Sequence, residues 1–386
     1  MNCKKQNFII ALFFISVVGL LLRWNGINFI GVDYEVCFRG WYEQLKSGGG
    51  LKGLTEFKGD YTMPYATMLL LLTHLPLNSL YAVKLLPILF DFLTSGVLTV
   101  LVMDIVTERK FFYGAVTYAM VLCCPVAVIN SGYLGQCESI WAGLALLSFY
   151  LTYKDHPIGA MISLGCALSL KLQAIFILPL LLLFYMKKKF SILHFVLIPV
   201  TIEVLCIPAI IGGCSWDISF TKYLNMTGEY PFVYYFYPNV WTFLKDAPYY
   251  VFGKVAIFSA VTVLLCFAVL FVKNKKCGIK EICLETLCFT TITCPFILPC
   301  MHERYNYLGE LCLVALAVAK PKYRLAALGF IMVSTQCYGQ CFMGWTYVSP
   351  YILATINLGV YVYLAINICT RLYNTIDKGE GVYVEN

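Results

Sequence analysis

The stretch Pro64-Tyr-Ala-Thr-Met-Leu-Leu-Leu-Leu-Thr-His-Leu-Pro76 decides how this chain is threaded. It holds about a dozen apolar residues, fewer than the roughly 17 needed to cross a bilayer. Read as a crossing, it inverts every later segment. Lys187-Lys188-Lys189 and the Lys273–Lys276 cluster would then face outward. Read as a re-entrant or interfacial helix within the first outer loop, it leaves all the basic clusters inside, as the positive-inside rule requires.

Working outward from this segment, apolar runs recur from Phe8 to Cys369, each broken by a short charged or turn-rich patch. The chain of 386 residues is 60% hydrophobic and 13% charged. A soluble domain is nearer a quarter charged. The sequence predicts an all-α polytopic membrane protein with about twelve spans. They run over 8–24, 79–106, 111–129, 139–153, 157–170, 173–186, 191–212, 250–272, 282–300, 305–319, 323–342 and 348–369. Residues 1–370 form a single membrane domain with outer loops at 25–78 and 213–249, and 371–386 form a polar, disordered cytoplasmic tail. Both termini are cytoplasmic. Lys4 and Lys5 precede the first run, but Arg23-Trp24-Asn25 follows it instead of a small-residue cleavage pattern, so it reads as a span.

The net charge of +7 sets orientation and gives no reason to invoke nucleic acid. The 18 cysteines are scattered through apolar runs without zinc-like pairs, which argues against a disulfide framework.

This threading collects chemistry on the outer side. Asp33-Tyr34 opens the first outer loop. Tyr34, Cys37, Phe38, Trp41, Tyr42 and Leu45 then fall on one helical face and read as an amphipathic helix in the interface, its aromatics serving as anchors. Asp33 alone suits a helix N-cap. Gly59-Asp60-Tyr61 follows, then Asn130 to Glu138, Lys171-Leu172-Gln173, an aromatic loop containing Asp217, Glu229 and Tyr230, and His302-Glu303-Arg304. Lys171 lies between two short apolar runs that meet at a recessed turn. An ionisable group there is costly and generally functional, although pairing would also explain it. Asp91 reads as the partner of Lys84 on its own helix, and Glu203 as structural. A carboxylate, a recessed lysine, a His/Arg loop and aromatic loops together suit a phosphate-bearing lipid and a sugar.

The chain resembles the GT-C glycosyltransferases and is most similar to bacterial relatives of the GPI mannosyltransferase that adds the second mannose. The resemblance rests on DYEVCFRGWYEQL (33–45), GDYTMPY (59–65), LYAVKLLPILFD (80–91), GYLGQCESI (132–140), ALSLKLQAIFILPLLL (167–182) and MHERYNY (301–307). It implies a GT-C fold and transfer of a hexose, mannose-like, from a polyprenyl-phosphate donor to an acceptor hydroxyl with inversion. The acceptor would be a glycan, a lipid-linked oligosaccharide or a protein.

It further implies Asp33 as the general base. Lys171, Gln173, His302 and Arg304 would hold the donor phosphate, with Glu138, Asp60 and Tyr34 as further substrate-binding residues. Glu138 stands where the family type has Asp. No metal ligand set or cofactor is assigned, though a divalent cation is compatible. The implied location is a bacterial plasma membrane with the active site facing outward, in cell-envelope glycan biosynthesis. Two other readings share the same charges: a transporter or flippase for a lipid-linked glycan, and a polyprenyl-diphosphate-dependent polymerase or ligase. No internal repeat of the kind expected of the transporter is visible.

Overall fold

A computed structural model describes residues 3–187, 190–226, 231–274 and 279–377. Among these, all regular structure is helical. Lys188, Lys189, Glu229, Tyr230, Lys275, Lys276 and the segment 378–386, all used in the sequence reading, lie outside the described residues.

Among the described residues, six helices are long and apolar enough to cross a bilayer: Cys3–Asn25, Ser79–Ile105, Ile192–Gly212, Tyr249–Lys273, Pro321–Phe342 and Pro350–Asn374. A seventh crossing results if Lys110–Leu122 and Pro125–Tyr133, bent by 48°, form one span. The bend falls just before Pro125, whose ring cannot continue the preceding ladder of hydrogen bonds. The protein is therefore a polytopic membrane protein. Shorter apolar helices occupy Pro157–Leu170, Leu172–Met186, Ile282–Ile297 and Tyr307–Ala319.

The deciding segment forms the helix Met63–Leu72, of 10 residues. At 1.5 Å per residue it is about 15 Å long, half the apolar thickness of a bilayer. Pro64 lies in its first turn, where a missing N–H costs nothing.

The chain divides into two compact units. The first comprises Met1–Leu98, Tyr118–Ile175 and Phe190–Glu229; the second comprises Thr99–Thr117, Phe176–Lys189 and Tyr230–Asn386. In the first unit, Pro157–Leu170 packs closely on Leu197–Gly212 through Gly165. A Cβ at Gly165 would stand 2.6 Å from the Thr201 Cβ and 3.0 Å from the Ile198 carbonyl. Small residues permit such close helix contacts in a membrane.

Three expectations are corrected. The aromatic face of the first outer loop is not an interfacial anchor. Tyr34, Phe38, Tyr42 and Leu45 are buried in protein, and Tyr42 Oη reaches the Leu72 carbonyl at 3.4 Å. The short helix Met63–Leu72 and the turn Gly50–Leu54 pack against helix Arg39–Ser47 and supply what lipid was expected to supply. Second, Asp91 pairs with Arg23 at 2.8 Å and accepts a bond from Ser131. Lys84 instead donates to the carbonyls of Gly26, Ile27 and Phe29 at 2.8–3.0 Å. These acceptors follow the end of the first helix, and a cation is well placed there. Third, the expected tail is helical at its start, because Pro350–Asp377 continues through Arg371. Arg371 and Lys320 both donate to the buried carboxylate of Glu285, which pins that end of the helix.

Candidate functional site

In the first unit, three stretches distant in sequence converge. The turn Ile129–Glu138 is the organiser. Its π-helical turn Ile129–Tyr133 leads to Gly135, whose φ of +66° lies in the left-handed region favoured by glycine. A Cβ at Gly135 would also stand 3.1 Å from the Lys84 Cγ. This reversal places Gln136 and Glu138 on separate tasks.

Gln136 Nε2 donates to the Asp33 carboxylate. Asp33 is half-buried at φ −63°, ψ −30° and makes no side-chain capping bond, so its carboxyl group is not used as a helix cap. Glu138 is fully buried and accepts from the Lys171 ammonium on one oxygen and from Asn130 Nδ2, at 3.4 Å, on the other.

Lys171 stands where the sequence places a break. Helix Pro157–Leu170 ends there, Lys171 is extended at φ −155°, ψ 134°, and a 3₁₀ segment begins at Leu172. The ammonium also lies over the Tyr61 ring, 5.4 Å from its centroid. Thr62 Oγ1 donates to the Ser169 carbonyl at 2.5 Å, which holds the strap 59–62 against this helix end. Tyr65 is buried beside Cys137 and Glu138, and burial together with those two groups raises its hydroxyl well above the ordinary tyrosine range.

The other predicted residues of this unit fall nearby in the chain with different surroundings. Gln173 is half-buried in the 3₁₀ segment. Asp60 is exposed on the strap, close enough to Lys222 to oppose the effect of burial, which lowers the Lys222 ammonium. Tyr34 is buried with its hydroxyl hydrogen-bonded to Ser79 Oγ at 2.7 Å, which gives it a packing role. Tyr61 and Gln136 are additional to the predicted set. Gln136 lies within the motif GYLGQCESI, but nothing in the spacing reveals that an uncharged amide reaches Asp33, 103 residues away.

In the second unit, His302-Glu303-Arg304 forms a compact ionic turn. Arg304 Nη1 donates to Glu303 Oε1 at 2.5 Å, and His302 Nδ1 lies 3.7 Å from Glu303 Oε2. Burial raises the Glu303 carboxyl, but Arg304 and His302 outweigh it and hold the group down at about 2. The Tyr235 ring meets the His302 ring edge-on at 4.5 Å, and the Tyr305 ring lies 4.9 Å from it. Two backbone bonds fix the aromatic loop beside this turn: Cys300 N to Val233 O and Tyr237 N to Met301 O, each 3.1 Å. Glu310, not singled out from sequence, is buried and accepts from Asn306 and Ser334. His302 and Arg304 thus belong to a different unit from Asp33, Glu138 and Lys171.

Among the described residues, no group of three or more His, Cys, Asp or Glu side chains is arranged to hold a metal ion. Compared with known proteins, the chain matches no family model and no curated protein.

Proposed function

We propose that the protein is a membrane glycosyltransferase of the GT-C type. It would transfer a hexose from a polyprenyl-phosphate donor to an acceptor hydroxyl, with inversion, at the outer face of a bacterial plasma membrane. The twelve-span threading with cytoplasmic termini belongs to this proposal. The observation that carries it is the contact between Asp33 and Gln136. A half-buried carboxylate at the start of the first loop is oriented by the same turn whose next acidic residue meets Lys171.

In this reading Asp33 takes the proton from the acceptor hydroxyl as its oxygen bonds to the anomeric carbon and the bond to the phosphate oxygen breaks. A positioned base contributes typically 10²–10⁴ in rate. The amide of Gln136 fixes the carboxylate without removing its charge. The departing phosphate gains negative charge and needs donors. The Lys171 ammonium is paired with the Glu138 carboxylate. Its charge is already compensated, so Lys171 acts here as an oriented donor more than as a free cation. Gln173 would assist it, and His302 and Arg304, in the second unit, are proposed as phosphate-binding residues in their own right.

The test is transfer by purified Asp33→Asn, Lys171→Ala and wild type from individual polyprenyl-phosphate sugars, with products identified by mass spectrometry. Near-normal turnover in Asp33→Asn sinks the base assignment. Transfer from a diphosphate donor alone would favour a polymerase or ligase. Movement of intact lipid-linked glycan without bond formation would favour a flippase.

A further inference from the structure

The helix Ile218–Met226, of nine residues, lies in the loop between the spans Ile192–Gly212 and Tyr249–Lys273. Its two faces differ sharply. One side carries Trp216, just before the helix, then Phe220 and Leu224, at intervals of four residues. They are 80%, 65% and 53% exposed. Residues four apart share a helical face, so Phe220 and Leu224 form one apolar stripe, and the exposed Trp216 precedes it in the turn. Protein holds the rest of the helix, Lys222 from the opposite side and Tyr223 from the flank. Lys222 Nζ donates to the Gly59 carbonyl at 3.0 Å and lies 5.5 Å from the Phe57 ring centroid, and Tyr223 Oη donates to the Leu168 carbonyl.

The stripe does not stand alone. Val200, Val204, Ile207 and Ile211 are exposed along the preceding span at helical spacing, so that span presents them to lipid. Ile211, at the end of that span, is 70% exposed, and Trp216 follows five residues later. An exposed apolar stripe that follows a lipid-facing span in the chain, and is led by tryptophan, has the character of a helix lying in the headgroup region.

We infer that Ile218–Met226 is a membrane-seated clamp: Trp216, Phe220 and Leu224 sit in the bilayer interface while Lys222 and Tyr223 hold the 59–61 strap and the end of helix Pro157–Leu170. The occupant of the exposed face is the lipid surface itself. The clamp fixes Tyr61 and Lys171 at a set depth relative to the headgroups, because Tyr61 follows directly on Gly59-Asp60 and Lys171 lies three residues after Leu168. Seating is a property of the membrane fold and does not depend on which reaction the site performs.

The experiment uses the full chain labelled with 5-fluorotryptophan in lipid nanodiscs. The sequence has six tryptophans. Trp216→Phe removes one fluorine resonance and so assigns it; Trp216→Tyr provides the assignment should the first variant fold poorly. Lipids carrying a nitroxide on the upper acyl chain and a water-soluble gadolinium chelate are then added separately. Seating predicts that the Trp216 resonance broadens strongly with the nitroxide lipid and is several-fold less affected by the chelate than a tryptophan in water. Strong broadening by the chelate with none from the lipid would overturn the inference. No sugar donor is present, so this result is separate from success or failure of the transfer assay.

Discussion

The ammonium of Lys171 donates to the carboxylate of Glu138, with both side chains buried and 33 residues apart in the chain. The pair joins the end of one apolar helix to the start of another, Glu138–Tyr153, within the first unit. It makes each residue dependent on the other.

Removing one member leaves an uncompensated buried charge, which typically costs about 3–5 kcal/mol. Glu138→Gln and Lys171→Met should each lower the melting temperature clearly in detergent. The double variant should be far less destabilised than the sum, since neither charge then remains. Additive losses would show that the two groups do not interact.

Arg23 is buried within the first membrane helix and is held by Asp91, Ser131 and the carbonyls of Gly19 and Leu122. Arg23→Met should therefore destabilise by roughly 3–5 kcal/mol by stranding the Asp91 carboxylate. Lys84→Met should cost less, about 1–3 kcal/mol, because it leaves carbonyls unbonded and no opposite charge unpaired. Thermal unfolding by intrinsic fluorescence gives the order, and the reverse order would refute the assignment of Arg23 as the partner of Asp91.

Glu303 is held at about 2 against an ordinary value of 4.5. A depressed carboxyl contributes stability that is fully present above the unfolded value and is lost as pH falls through the folded value. Its contribution should be complete above about pH 4.5 and disappear towards pH 2, amounting to about 3 kcal/mol. The stability difference between wild type and Glu303→Gln, measured against pH, should shrink across that window. A difference that stays constant down to pH 2 would exclude the ionic role.

The length of Met63–Leu72 predicts that it does not cross the membrane. Reporter insertions after Asn28 and after Asn78 should report the same side, opposite to an insertion after Lys110. Opposite sides for the first two would make the short helix a crossing and would reverse the threading inferred from the basic loops.

Composition and pattern alone determined that this is a helical membrane protein, because runs of apolar residues this long are stable only in lipid or a protein core. They also located the break at Lys171, since a charged side chain between two short apolar runs interrupts the hydropathy that a single span needs. The shortness of Pro64–Pro76 was likewise legible, being a matter of counting residues against bilayer thickness. Pairing was not legible. Hydropathy and local spacing favour neighbours on the same helix, and so suggested Lys84 for Asp91; the fold supplied Arg23 from 68 residues away. The aromatic face at 34–45 has the same periodicity whether lipid or protein covers it, and only the tertiary fold placed a short helix there. The reverse held at Phe220 and Leu224, whose exposure depends on which side of a nine-residue helix faces the strap. The contact between Asp33 and Gln136 depends on a left-handed turn at Gly135 and on packing between segments about a hundred residues apart, and local sequence does not encode such a separation.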